Sequence, residues 1–262
     1  MNIGVIGYKG FLGRSIFEYF KCNENLNVSG ISSDNWEQNK GIFFDFLIDA
    51  DGNSSKIIAE RNPVLDLDRN VMNVSRALEF FNFGTYALMS TIDVYNQRNN
   101  PLKNSEDADI LPLKLSNYGF SKYVRELLVR RKADRWIIFR LAGIIGDGMK
   151  KGPVFDILND SKLYISKESK LQLISTTAVS EIIGEIMSRK INGEIFNLAG
   201  EGQISMAEIA SIAGIDLKDE GILVDEVNVS VDKIKRLCRL PSSRGEVISI
   251  IERWKLKNLG TQ

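Results

Sequence analysis

The passage NIGVIGYKGFLGRSIFEYF at residues 2–20 constrains this chain more than any other, because three glycines, Gly7, Gly10 and Gly13, separate a short apolar run from an amphipathic one. NIGVI has the β-branched content of a buried strand, and Leu12, Ile16, Phe17 and Phe20 fall on one face of a helix. A strand that turns through glycines into a helix leaves backbone N–H groups open at the helix N-terminus. The helix dipole favours an anion there, and a Cβ would block its approach. Glycines in such a turn also serve packing alone, so the flanking pattern matters: strand, G-x-x-G-x-x-G, helix, and a second strand at NVSGIS. That order suits the pyrophosphate of a dinucleotide, with Gly7, Lys9, Gly10, Phe11, Leu12 and Gly13 forming the phosphate side of the site.

Further apolar runs follow at IFFDFLIDA, TYALMS and RWIIFRLAG, alternating with helical patterns in NVMNVSRALEFF and SKYVRELLVRR. This βαβ alternation predicts a Rossmann-type doubly wound parallel sheet with helices on both faces, an α/β fold. Residues 1–146 read as a dinucleotide-binding domain and 147–262 mainly as a smaller substrate-binding lobe, with the part around 170–200 returning to the first domain. In the second half, Ser205 and Glu208 fit a capping box ahead of MAEIASIAG, and Val247, Ile251 and Trp254 share a helix face. No Pro- and Ser-rich linker divides the chain, so the lobe is expected to pack onto the first domain.

Charge narrows the partners. Lys plus Arg and Asp plus Glu balance at 34 each, which favours neither nucleic acid nor an anionic membrane. No apolar run reaches the ~18 residues of a membrane helix and no export signal opens the chain, so a soluble cytoplasmic protein is expected. Its only cysteines, Cys22 and Cys238, have no metal spacing and read as idle thiols in a reducing compartment. Histidine is absent, which removes Ser-His-Asp and Cys-His catalysis and most zinc sites; no metal is expected. A homodimer is left open.

The second strand ends in ISSD, the tip that chooses between nicotinamide cofactors. A carboxylate there accepts the ribose 2′-hydroxyl of NAD, whereas hydroxyls or cations suit the 2′-phosphate of NADP. Ser32 and Ser33, with Lys9 within reach, favour NADP(H); Asp34 slightly beyond keeps NAD(H) as the alternative. Further on, NYGFSK places Tyr118 and Lys122 four apart at the start of a helix, on one face. A phenol near pKa ~10 is a poor acid or base at neutral pH, but a neighbouring ammonium favours its charged form. Lys122 can also bond a nicotinamide ribose.

Taken with GYKGFLG, the segments LIDADG, NVMNVSRAL, STIDVY, YGFSK, RLAGIIGDG and GEIFNLAG resemble the extended short-chain dehydrogenase/reductases that act on nucleotide sugars, over nearly the whole chain. The resemblance implies Thr91 as catalytic hydroxyl, Tyr118 as acid/base and Lys122 as its activator, with Ser90 a neighbour. It puts Asn70 beside the active-site strand, as a site residue or a structural amide. Departures from the family are informative. Too little chain separates Ser32 from Leu47 for the usual helix and third strand, so that region of the sheet is expected to be shortened. Asp51 and Gly52 replace a small pair beside the cofactor; Asp51 would bond a ribose hydroxyl or cap the following turn. Ala178 replaces a frequent Asp.

The same resemblance bears on the reaction. Family dehydratases carry an acid pair after the catalytic Thr, since elimination needs a proton donor and a base. Here Ile92 fills the first position and Asp93 the second. Gly143 stands where epimerases present an asparagine, and the lobe is short, so a keto-sugar reductase like the dehydrorhamnose-reductase group is favoured over an epimerase. A non-catalytic NAD(P)-binding regulatory protein is the reading from another class. Asp93, Asn70, Lys150 and Lys151 are the candidate contacts to a small-molecule nucleotide sugar, and Arg239 is a further candidate for its diphosphate.

Overall fold

The structure, a computed structural model, describes residues 1–217 and 221–259. The strands are β1 (Asn2–Ile6), β2 (Asn27–Ile31), β3 (Phe43–Asp49), β4 (Asn82–Thr91), β5 (Trp136–Leu141), β6 (Gly143–Ile145), β7 (Lys170–Leu171), β8 (Leu173–Ser175), β9 (Glu194–Leu198) and β10 (Ile204–Ser205). Six of them form one parallel sheet in the order β2-β1-β3-β4-β5-β9. The helices are α1 (Phe11–Lys21), α2 (Trp36–Asn39), α3 (Lys56–Arg61), α4 (Pro63–Leu67), α5 (Asn73–Phe80), α6 (Asn117–Lys132), α7 (Pro153–Leu158), α8 (Thr176–Ser188), α9 (Met206–Ala213), α10 (Asp232–Lys235) and α11 (Ser243–Leu259). Among the described residues no helix is long and apolar enough to cross a membrane.

Strand alternation divides the core between the two faces of the sheet. Ala87 and Met89 of β4 and Ile137 and Phe139 of β5 pack with Ile16 and Phe20 of α1 and Val179 and Ile183 of α8. The intervening residues Tyr86, Leu88 and Ile138 face the other way, onto Val74 and Ala77 of α5 and Val129 of α6. Each such aliphatic side chain, fully buried, contributes about 1.5–3 kcal/mol. The shortened region is where the sequence places it: α2 is a single turn between β2 and β3, and β3 crosses back to pair with the far side of β1. β2 is therefore one edge strand, with β9 at the other.

Two local expectations change. NVMNVSRALEFF is not one α-helix; a π-helical turn at Asp68–Met72 precedes α5 and turns Asn70 fully into the interior. In the expected capping box, Ser205 Oγ does accept the Glu208 N–H at 3.1 Å, but the Glu208 carboxylate turns away to Arg244 at 2.8 Å, a partner brought close only by folding. Of the two free cysteines, Cys22 is exposed and Cys238 buried.

Several charges lie inside this fold. Arg140 of β5 donates to both carboxylate oxygens of Glu126 on α6, at 2.7 to 3.2 Å, and through Nη1 to the Tyr95 hydroxyl at 2.8 Å. Ser90 Oγ donates to the same carboxylate at 2.5 Å, and Tyr95 donates onward to Asn197 of β9 at 2.8 Å. Breaking such a buried pair from one side leaves an uncompensated charge, which costs about 3–5 kcal/mol, whereas neutralising both members is far milder. Arg140→Met is therefore expected to lower the urea midpoint sharply, and Glu126→Gln/Arg140→Met to recover most of the loss; equal midpoints for the two variants would contradict this account.

Candidate active site

Because the six strands are parallel, the C-terminal ends of β1, β2, β3 and β4 share one edge, and the chain changes direction between β1 and β3, the crevice where open α/β sheets bind ligands. At the end of β1, Gly7 takes φ +77° and its N–H bonds Ile31 O at 2.9 Å, tying the turn to β2. A Cβ at Gly13 would collide with the Gly7 carbonyl, so α1 can start this close to β1 only with glycine there. The N-cap of α1 is Gly10, with no side chain to bond the first-turn N–H groups and no acidic residue in that turn. Those donors and the positive helix end fit a dinucleotide pyrophosphate.

The tip of β2 differs from its expected form. Ser32 N–H bonds Asn35 Oδ1 at 2.8 Å, while Ser33 is exposed. Lys9 forms a short ion pair with Asp34 across this tip, raising the Lys9 pKa and lowering that of Asp34, chiefly through their hydrogen bond. The cation and the carboxylate that sequence reading assigns to competing cofactors thus neutralise each other.

Thr91 closes β4, and Ser116 caps α6 by accepting the Gly119 N–H at 3.1 Å. A Cβ at Gly119 would collide with the Asp93 carbonyl, so the first turn of α6 rests directly on the chain leaving β4. That contact brings Tyr118, at the start of α6, close to the end of β4, where Thr91 Oγ1 donates to Asp93 Oδ2 at 3.3 Å. Lys122 follows one turn on, its ammonium 5.5 Å from the Tyr118 ring centroid. The three residues that sequence reading grouped are brought together.

Their electrostatics depart from the expected pattern. Burial pushes the Tyr118 phenol well above its ordinary value, with the Asp93 carboxylate adding to the rise and Arg125 and Thr91 opposing it. Lys122 moves the other way, to about 7, through burial first and the Arg125 guanidinium second, against the pull of Asp49, Asp66 and Asp51. The expected lowering of Tyr118 by Lys122 is therefore overridden in the polypeptide alone, because both groups lie where water cannot stabilise a charge.

Other expected contacts lie as follows. Asp93 N–H bonds Thr91 Oγ1 at 3.2 Å, and its Oδ1 pairs with Lys56 at 2.8 Å and Arg98 at 3.1 Å. Asn70 is fully buried and donates to Asp66 Oδ1 at 2.8 Å and to Ser121 Oγ at 3.0 Å, bracing α6 beneath Tyr118. Asp51 receives the Asn73 amide at 3.1 Å, beside Gly52. Lys151 donates to Ser54 O at 2.8 Å, whereas Lys150 and Arg239 point into solvent. Ala178 receives the Ser175 cap at its N–H, 3.1 Å.

Sequence reading missed Arg125 and Asp49. Arg125 Nη2 donates to Asp49 Oδ2 at 2.8 Å and Nη1 to Asp51 O at 2.8 Å, and Tyr86 donates to the same Asp49 oxygen at 2.7 Å. The available signal was a charged residue inside each apolar pattern, FLIDA and YVREL.

No protein-family model and no curated protein matches the chain. Solved structures do. A UDP-glucuronic acid 4-epimerase from Bacillus cereus, in complex with UDP-glucuronic acid and NAD, is 18% identical over 98% of this chain and 100% of that one, with a TM-score of 0.80. The two share a fold. RMD from Pseudomonas aeruginosa, complexed with NADPH, is 16% identical over 98% and 99%, TM-score 0.80. A dTDP-glucose 4,6-dehydratase from Bacillus anthracis, in complex with NAD, is 15% identical over 98% and 97%, TM-score 0.75.

The Lys122 environment generates a stability test. Its pKa falls from 10.5 unfolded to about 7 folded, so folding expels a proton between those values. A depressed basic group destabilises the fold fully below about 7 and not at all above about 10.5, since only the unfolded state is charged in between. Lys122→Met is expected to raise the melting temperature at pH 6–7, with the gain shrinking as pH rises to 10. A gain independent of pH would refute the burial account.

Proposed function

We propose that the chain is an NAD(P)H-dependent reductase of a nucleotide-linked keto-sugar, with residues 1–146 holding the cofactor and 147–262 mainly the sugar nucleotide. The observation that carries this reading is the convergence of Thr91, Tyr118 and Lys122 at the same sheet edge as the uncapped glycine turn. NADPH, when bound, supplies the hydride. Thr91 and Tyr118 then hold the substrate carbonyl oxygen, and Tyr118 delivers its proton as negative charge develops there. Burial keeps the Tyr118 phenol protonated, the form a donor needs, but also weakens it as an acid, so the transfer depends on the negative charge developing on the carbonyl oxygen and on Lys122. Lys122 orients the nicotinamide ribose and restores charge near the phenol.

Two features weigh against elimination. Ile92 is buried and apolar, and Asp93 is held between two cations, so neither offers a free acid next to Thr91. Epimerisation is the second reading, supported by alignment with the Bacillus cereus epimerase along its full length. A panel of nucleotide 4-keto-sugars and 4-hydroxy sugars separates the two: steady NADPH oxidation supports the reductase, while isomerised product without net oxidation supports the epimerase. Tyr118→Phe is expected to reduce kcat by about 10²–10⁴-fold with cofactor affinity retained, and an active variant would overturn the acid role.

For the cofactor we favour NADP(H), with Lys9 leaving Asp34 for the 2′-phosphate. Asp34→Asn removes both the competing partner and a like charge, so it is expected to tighten NADPH at least several-fold while leaving NADH unchanged or weaker in fluorescence titrations. Tighter NADH binding would reverse the assignment.

A further inference from the structure

We infer that Arg125, anchored at the sheet edge by Asp49, is a charge-setting and positioning residue for Lys122, resting on the reading of Tyr118 and Lys122 as the reacting pair. Arg125 follows Lys122 by three residues on α6, so the two side chains share a face, and both are buried, at 1% and 6% exposure. A guanidinium cannot lose its proton in a protein interior, whereas an ammonium can. Two cations share this interior, and only Lys122 can relieve the repulsion.

The carboxylates nearby pull the other way, although each spends its hydrogen bonds on groups other than Lys122. Facing Lys122 are Tyr118 and Arg125 on α6, Asp49 and Asp51 at the end of β3, and Asp66 on α4, with Tyr86 of β4 behind Asp49. Asp49 Oδ2 takes Arg125 and Tyr86 together, at 2.8 and 2.7 Å. Asp66 Oδ1 takes the amides of Asn53 and Asn70, at 2.6 and 2.8 Å, and Asp51 Oδ2 takes Asn73 at 3.1 Å. Arg125 itself is fixed by two acceptors, and its buried Nε is without a hydrogen-bond partner. The guanidinium therefore stays put while Lys122 gains or loses its proton near neutral pH. An anion entering the crevice would be met by proton uptake at Lys122 rather than by a standing cation.

The test reads Lys122 directly, in the full chain and without substrate. With lysine labelled by 13C at Cε, the Lys122 resonance is assigned by its loss in Lys122→Met, and its shift is followed from pH 5 to 11. Wild type is expected to titrate near the value its surroundings impose, about 7. Arg125→Met is expected to raise the midpoint by about one unit or more, a tenfold gain in proton affinity. Should Arg125→Met unfold through its unpaired Asp49, Asp49→Asn/Arg125→Met removes both charges; its midpoint should still rise, since Arg125 outweighs Asp49 at Lys122. An unshifted midpoint in the folded charge-removing variant overturns the inference. Parallel NADPH titrations separate the two levels: a shifted midpoint in a protein that binds no dinucleotide would keep the coupling and sink the proposed function.

Discussion

Two adjacent residues of α6, Arg125 and Glu126, reach in different directions and lock this helix across the sheet. Arg125 bonds Asp49 at the end of β3, and Glu126 bonds Arg140 of β5 and Ser90 of β4. All four charged side chains are at most 3% exposed, so each pair is meaningful only with its partner in place. Neutral packing of the same volume would be at least as stable. Directionality is what the charges add, because the two-oxygen contact of Arg140 with Glu126, and the fork of Arg125 between Asp49 and the Asp51 carbonyl, each have one geometry where apolar packing has several.

That fixed helix determines where Tyr118 and Lys122 sit. Tyr118 and Lys122 lie on the first turns of α6, and the absence of a Cβ at Gly119 lets those turns touch the chain leaving β4, where Thr91 ends its strand. The π-helical turn at Asp68–Met72 supports the same helix from the opposite side, because its extra residue swings Asn70 in between Asp66 and Ser121. Beyond Thr91, Asp93 holds Lys56 and Arg98, and Arg98 continues to Asp225 at 2.9 Å, so the end of β4 is tied to the later half of the chain. The rigidity of the edge and the dryness that perturbs Tyr118 and Lys122 have one cause: polar groups are satisfied by one another instead of by water.

Much of this was legible in the residues. The glycine turn, the alternating apolar runs and the short interval between Ser32 and Leu47 gave the parallel sheet and its shortened edge, since period-2 and period-3.6 patterns are local properties of the chain. The grouping of Thr91, Tyr118 and Lys122 followed from a resemblance, and their proximity is seen in the structure. The pairing of Lys9 with Asp34 was not legible, because each was weighed alone against a ligand and their meeting depends on how the glycine turn lies across β2. Nor was the Glu208–Arg244 pair, whose members are distant in the chain.

The sequence by itself therefore determined the order of elements, through spacing that any local window reveals, and named Thr91, Tyr118 and Lys122 as candidates. Only the tertiary structure decided their charge. Whether Lys122 is an ammonium depends on burial and on Arg125, and whether Tyr118 holds its proton depends on Asp93 and the same burial. Those are sums over neighbours drawn from β3, β4, α4 and α6, and desolvation exists only once these elements have closed over the site.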